Sequence, residues 1–249
     1  MKTSRVPWKR ITAEFLAIFA GITLSLLADD WRQGKEDRER EAEFLAEVSQ
    51  DLVRDSTELR TLLTQMEYWD AASLWVNRNA NQASMPPDSM FRYLRRFGII
   101  SFYQPVRSGY LGLRDAGLLH LLSEAEVRRG IVYYSEVGQP FMEQSCETVH
   151  VGWDRWLRIS PLHIDWIAPE DGESMWVTLR NGVVTSEWAE ILADDTMRGH
   201  MDWAGLIGGN TAWRIRQLLE GNSALRLLIS EYLDSPEALA GSGDSAGDH

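Results

Sequence analysis

The sequence predicts a mainly α protein: one N-terminal transmembrane helix followed by a helical-bundle extramembrane domain. Three observations carry this. An apolar run follows directly on a basic head, a long charged stretch without proline follows the run, and apolar residues recur at helical spacing through that stretch.

The head, residues 1–10, carries Lys2, Arg5, Lys9 and Arg10 and no acid. Its +4 against −12 for the whole chain leaves −16 on the other 239 residues. A basic head before an apolar run is the pattern of a membrane-inserting N-terminus. Residues 11–28 read ITAEFLAIFAGITLSLLA, with Glu14 the only charge. Eighteen residues at 1.5 Å each reach about 27 Å, close to the ~30 Å hydrocarbon core of a bilayer. Trp8 and Trp31 flank the run where interfacial aromatic belts fall, and Arg10 can pair with Glu14 one turn on, so these four residues read as interface anchors. The competing readings are a buried helix and a cleaved signal peptide. Leu26-Leu27-Ala28 is a poor cleavage site, because the −3 position is not small.

Ala13, Ala17, Gly21 and Ser25 recur every four residues and form a small-residue face on which another membrane helix can pack closely. The positive-inside rule puts residues 1–10 in the cytoplasm and the bulk of the chain in the periplasm of a bacterial inner membrane. Arg32, Lys35, Arg38 and Arg40 beyond the run weaken that orientation.

A membrane-proximal helix is expected over residues 29–80. Leu45, Val48, Leu52, Leu59, Leu62, Met66 and Trp69 fall on a heptad seam, with Asp55 in its one polar gap, so this helix packs on another within the chain or between chains. Asn77 to Pro87 reads as a turn-rich connection. A helical, Trp-rich domain is expected over 88–234, with helices at 88–97, 109–121 and 124–150, the last opened by a capping-box spacing from Ser123 to Glu126. Residues 151–184 are hard to assign, and Met175 to Leu179 read as a short strand or ordered loop. Two helices fit 186–206 and 210–234, with Gly205-Leu206-Ile207-Gly208-Gly209 as the break between them. The acidic tail, 235–249, has the composition of a disordered segment.

Glu14, Gly21-Ile22, the alternating Leu24 and Leu26, and Asp29-Asp30-Trp31 resemble the N-terminal signature of a family of uncharacterised bacterial single-span membrane proteins. That family shows a glutamate, a Gly-Ile step and an Asn-Asn-Trp ending at this spacing. Tyr110-Leu111, Leu113-Arg114, Gly117-Leu118-Leu119 and Tyr133-Tyr134 are similar to its second recurrent stretch. The aspartates depart from the usual asparagines, and the C-terminal third has no counterpart. The resemblance implies a membrane anchor with a helical outer region and no particular activity.

Composition narrows function mainly by exclusion. A net charge of −12 argues against a nucleic-acid partner. The lone Cys146 offers no disulfide and no zinc cluster. His120, His150, His163, His200 and His249 show no metal-ligand spacing; His150, Asp154, His163 and Asp165 make a site only if a fold assembles them. The glycines at 205–209 lack the Lys-Ser/Thr of a phosphate loop. No catalytic residue, metal or cofactor is assigned. Trp153, Trp156, Trp166, Trp176, Trp188, Trp203 and Trp213 crowd the C-terminal part, as core or as interface anchors. The reading that follows is a non-catalytic accessory or scaffold subunit of a larger bacterial membrane complex, with photosynthetic or respiratory hosts in view and other membrane-protein subunits and the lipid bilayer as partners. The alternative is a membrane-anchored periplasmic sensor or ligand-binding protein.

Overall fold

A computed structural model describes residues 8–100, 102–167 and 182–235, with backbone alone for 8–14. Helix α1, Trp8–Asn79, runs unbroken for 72 residues, about 108 Å at 1.5 Å per residue. No proline falls between Pro7 and Pro86, so nothing in the sequence removes a ladder hydrogen bond. Its first third stands apart: residues 15–33 are exposed on every side, and burial begins at Glu41. From there the seam residues Leu45, Val48, Leu52, Leu59, Leu62, Met66 and Trp69 are all buried, and they are covered from within the chain.

Pro87 opens α2, Pro87–Leu94, where its missing N–H costs nothing, and a 3₁₀ turn, Arg95–Gly98, extends it. Helix α3, Ser108–Asp115, is short and ends before Gly117, whose φ of +70° suits glycine. Helices α4, Ala125–Tyr133, and α5, Gln139–Ile159, are joined by a π turn over Tyr134–Gly138. Pro140 explains that turn: its ring crowds the carbonyl four residues back, and the wider turn makes room while the rod continues. The helix expected over 124–150 therefore runs to Ile159. Strands β1, Ile164–Trp166, and β2, Gly182–Val184, pair antiparallel, Ile164 opposite Val184. The short strand or ordered loop expected at 175–179 lies outside the described residues, as do residues 236–249 of the tail.

Helices α6, Trp188–Ala193, and α7, Asp195–Leu233, close the chain, and they correct two expectations. There is no break at Gly205–Gly209, which lies inside a 39-residue helix. The glycines serve contact instead. α7 runs antiparallel along α1, and a Cβ on Gly208 would stand 2.9 Å from Trp69 Cβ and 3.0 Å from the Met66 carbonyl oxygen. On Gly205 it would overlap Ser73. The Ser123 capping box is also absent: Glu124 caps α4 by accepting from the Glu126 N–H, because Ser123 is engaged by α1. A capping box does form at α6, between Glu187 and Glu190.

Two apolar cores result. The distal one joins the second half of α1 to α2, α5, α6 and the first half of α7 around Trp69, Trp156 and Trp188, all fully buried. The proximal one joins Leu45, Val48 and Leu52 to α3, α4 and the end of α7. Of the other C-terminal tryptophans, Trp153, Trp166 and Trp203 pack partly buried against the distal core and Trp213 is exposed. Trp176 lies outside the described residues.

Candidate functional site: a buried polar layer on helix α1

Between the two cores lies a layer of buried polar side chains, assembled by α1. Its centre is Asp55, fully buried. Its carboxylate accepts from the Tyr103 hydroxyl at 3.0 Å, the Val106 N–H at 3.2 Å and the Tyr134 hydroxyl at 2.5 Å. Asn222 of α7 donates to the Tyr134 oxygen and to the Leu52 carbonyl, both at 2.9 Å, and Gln139 donates to the Val106 carbonyl at 3.2 Å. Burial raises the Asp55 pKa above the ordinary carboxylate value, against the lowering effect of its hydrogen-bond donors. Burial and the neighbouring carboxylate push both tyrosines upward, so their hydroxyls stay protonated donors.

The same device recurs along α1. Asp51 accepts from Ser108 Oγ at 3.0 Å and from the Gly109 N–H at 2.7 Å, capping α3 from outside its own chain segment. Gly109 is required there, since a Cβ would stand 3.0 Å from the Val48 backbone nitrogen. Glu41 accepts from the Ser123 N–H at 2.7 Å and from Ser123 Oγ, which shares a hydrogen bond with Tyr232 at 2.6 Å. Three carboxylates of one helix thus satisfy backbone donors of the 103–123 segment, groups that would be costly if buried unpaired.

Residues of the 110–134 stretch divide between this layer and the surface. Tyr134 reaches Asp55, while Tyr110 donates to Glu136 and Arg114 pairs with the same carboxylate at 3.2 Å. Those two contacts hold Glu136 below the usual carboxylate range. The sequence reading missed the role of Asp55, Asp51 and Glu41. Asp55 showed only as a polar gap in the seam, and that gap was the available signal.

A second polar feature lies in the distal core. His200 is fully buried, with neither ring nitrogen hydrogen-bonded, and it stacks on Trp156 at 5.5 Å with Phe97 and Trp203 close by. Burial, with Arg155 nearby, brings its pKa down to about 4, so the ring is neutral and packs as an aromatic. His163 lies 2.9 Å from Ser186 Oγ and 3.0 Å from Asp194 Oδ2, tying β1 to the cap of α7. His150 and Asp154 do not join it, and among the described residues no group of three His, Cys, Asp or Glu is placed to hold a metal. Cys146 is buried and its thiol is pushed up to about 12, chiefly by burial.

The candidate anchors fall elsewhere. Ala17, Gly21 and Ser25 lie on the exposed part of α1, and a Cβ on Gly21 meets nothing within 4 Å. Trp31 is 64% exposed. The side chains of Trp8, Arg10, Ala13 and Glu14 lie outside the described set. Among the described residues no helix is long and apolar enough to cross a membrane. The side chains described for the 11–28 run begin at Phe15, four residues into it. No family model, curated protein or solved structure matches the chain.

Proposed function

We propose that the chain is a non-catalytic accessory or scaffold subunit of a bacterial membrane assembly, with photosynthetic and respiratory complexes as candidate hosts. A single helix over 11–28 holds it, with its head in the cytoplasm and its bundle in the periplasm. One observation carries the reading. Phe15, Leu16, Ile18, Phe19, Ile22, Leu24, Leu26, Leu27 and Trp31 are all more than half exposed and point to every side of α1. A helix apolar all round is stable where apolar surroundings cover it, and no described residue of the chain covers this one. A bilayer does so for 11–28 as a whole, with the face of Ala17, Gly21 and Ser25 free for a neighbouring span.

The polar layer supports a scaffold role: its carboxylates bind the chain's own donors and fix one helix register. Extraction from native membranes in mild detergent, with mass spectrometry of what remains bound, tests the proposal. Stoichiometric co-purification with a larger complex is expected. Recovery of the chain alone, as a monomer, would sink it.

A second reading, an anchored sensor or ligand-binding protein, has one observation in its favour: a cavity of about 630 Å³ beside α7. Ligand-dependent thermal shift of the full chain distinguishes it from the first.

A further inference from the structure

That cavity lies where α4 and α5 run antiparallel to α7. The register is set by close contacts: a Cβ on Gly130 would stand 2.8 Å from Leu225, one on Gly138 would stand 2.8 Å from Leu218, and the Arg214 guanidinium lies 4.6 Å from the centre of the Phe141 ring. Along these contacts runs an apolar space walled by Tyr133, Phe141, Trp213, Leu218, Leu225 and Leu228. Tyr133 and Trp213 are 66% and 59% exposed, so the space opens to solvent along these side chains. Gly221 lines it, and a Cβ there would meet nothing within 4 Å. A volume of about 630 Å³ falls within the range of small-molecule sites, roughly 300–1,000 Å³.

The space is charged differently at its two ends. Arg214 lines it beside Phe141, and Glu126 lines it beside the last turns of α7. The fifteen positions from Glu126 to Phe141 correspond to about 22 Å of helix. Arg214 donates to the buried Ser145 Oγ at 2.7 Å, which fixes the guanidinium. Among the described residues no carboxylate lies within ion-pair distance of it, so its remaining donors are available.

We infer that this cavity binds a single-chain amphiphile with an anionic head, the head on Arg214 and the hydrocarbon chain running toward Leu228. Apolar walls of this length favour an apolar ligand body over water. One guanidinium with donors beyond its bond to Ser145 suits one carboxylate-like head, and Glu126 disfavours that head at the opposite end, which sets the ligand's direction. The inference supplies the ligand that the sensor reading lacks, and it does not depend on the membrane anchor.

The test is equilibrium binding of radiolabelled palmitate to the full chain in phosphatidylcholine nanodiscs, with empty nanodiscs as blank. Should the chain not enter nanodiscs, the anchor reading fails and the same titration runs in buffer. One saturable equivalent is expected. Gly221→Leu fills the cavity while improving helix propensity, and it should abolish binding without lowering the melting temperature. Arg214→Gln should weaken palmitate about tenfold or more and leave the weaker binding of hexadecanol, the uncharged probe, unchanged. The inference is overturned by the absence of saturable binding, by a Gly221→Leu chain that binds as well as wild type, or by hexadecanol binding as tightly as palmitate. Occupation of the groove by a partner's helix, seen as a cross-link from position 213 that palmitate does not displace, overturns it equally.

Discussion

The Tyr134 hydroxyl donates to Asp55 Oδ2 at 2.5 Å across 79 residues of sequence, and in doing so joins the π turn between α4 and α5 to the middle of α1. Tyr134 packs in the proximal core and the other hydroxyl on Asp55, from Tyr103, belongs to the distal one. Removing one donor leaves a buried carboxylate partly unpaired. Tyr134→Phe is therefore expected to cost about 1–3 kcal/mol in denaturant unfolding. In a double-mutant cycle with Asp55→Asn the two losses should be less than additive; full additivity would separate the residues energetically.

The buried titratable groups predict opposing pH effects. His200 has its folded pKa depressed from 6.5 to about 4, so the unfolded chain binds a proton more readily, and stability falls as pH drops from about 6.5 toward 4. Full development of that shift corresponds to about 3 kcal/mol. Asp55 has its folded pKa raised; its contribution is complete below the ordinary carboxylate value and is lost as pH rises through the raised one. Urea unfolding at pH 7 and pH 4.5 should show wild type weaker in acid. His200→Leu should remove most of that loss, and an unchanged pH slope in this variant would contradict the assignment.

Gly208→Ala tests the approach of α7 to α1. Alanine improves helix propensity by about 1 kcal/mol, yet its methyl would sit against Trp69 Cβ and the Met66 carbonyl. Overpacking of this kind costs about 1–3 kcal/mol, and the net effect is expected to be a lower melting temperature. A raised melting temperature would show that the helix pair has room there.

The proposed insertion of residues 11–28 makes a prediction about charge. Ile18→Arg with Ile22→Arg should cost about 2.5–3.5 kcal/mol for each arginine near the middle of a span. The doubly substituted chain is expected in the supernatant of a carbonate wash and the wild-type chain in the pellet. Retention of both in the pellet would argue against a span at this place.

What the sequence made legible followed from local periodicity. The positions from Leu45 to Trp69 recur at helical spacing, and a repeating pattern within one segment needs no knowledge of its partner. The roles of Asp55, seen only as a gap in the seam, and of Asp51, which lies off it, were illegible for the opposite reason: their donors lie 48 to 79 residues away. The glycines at 205 to 209 misled because glycine weakens a helix by itself and permits close contact in company. Only Ser73, Trp69 and Met66 opposite them decide between the two. The π turn was written in Pro140, but its position was fixed by the continuity of the helix on both sides.

Because α1 passes from the apolar run into the bundle without a joint, the two are phase-locked. Each residue of an α-helix advances about 1.5 Å and turns about 100°. A single residue inserted near Gly34 would therefore swing the whole bundle by about 100° around the axis while lifting it hardly at all. An insertion of seven, close to two full turns, would raise it by about 10 Å and return it nearly to its original bearing. The direction in which the bundle faces any neighbour is thus set by the number of residues between Trp31 and Glu41, a quantity that side-chain identity at those positions does not change.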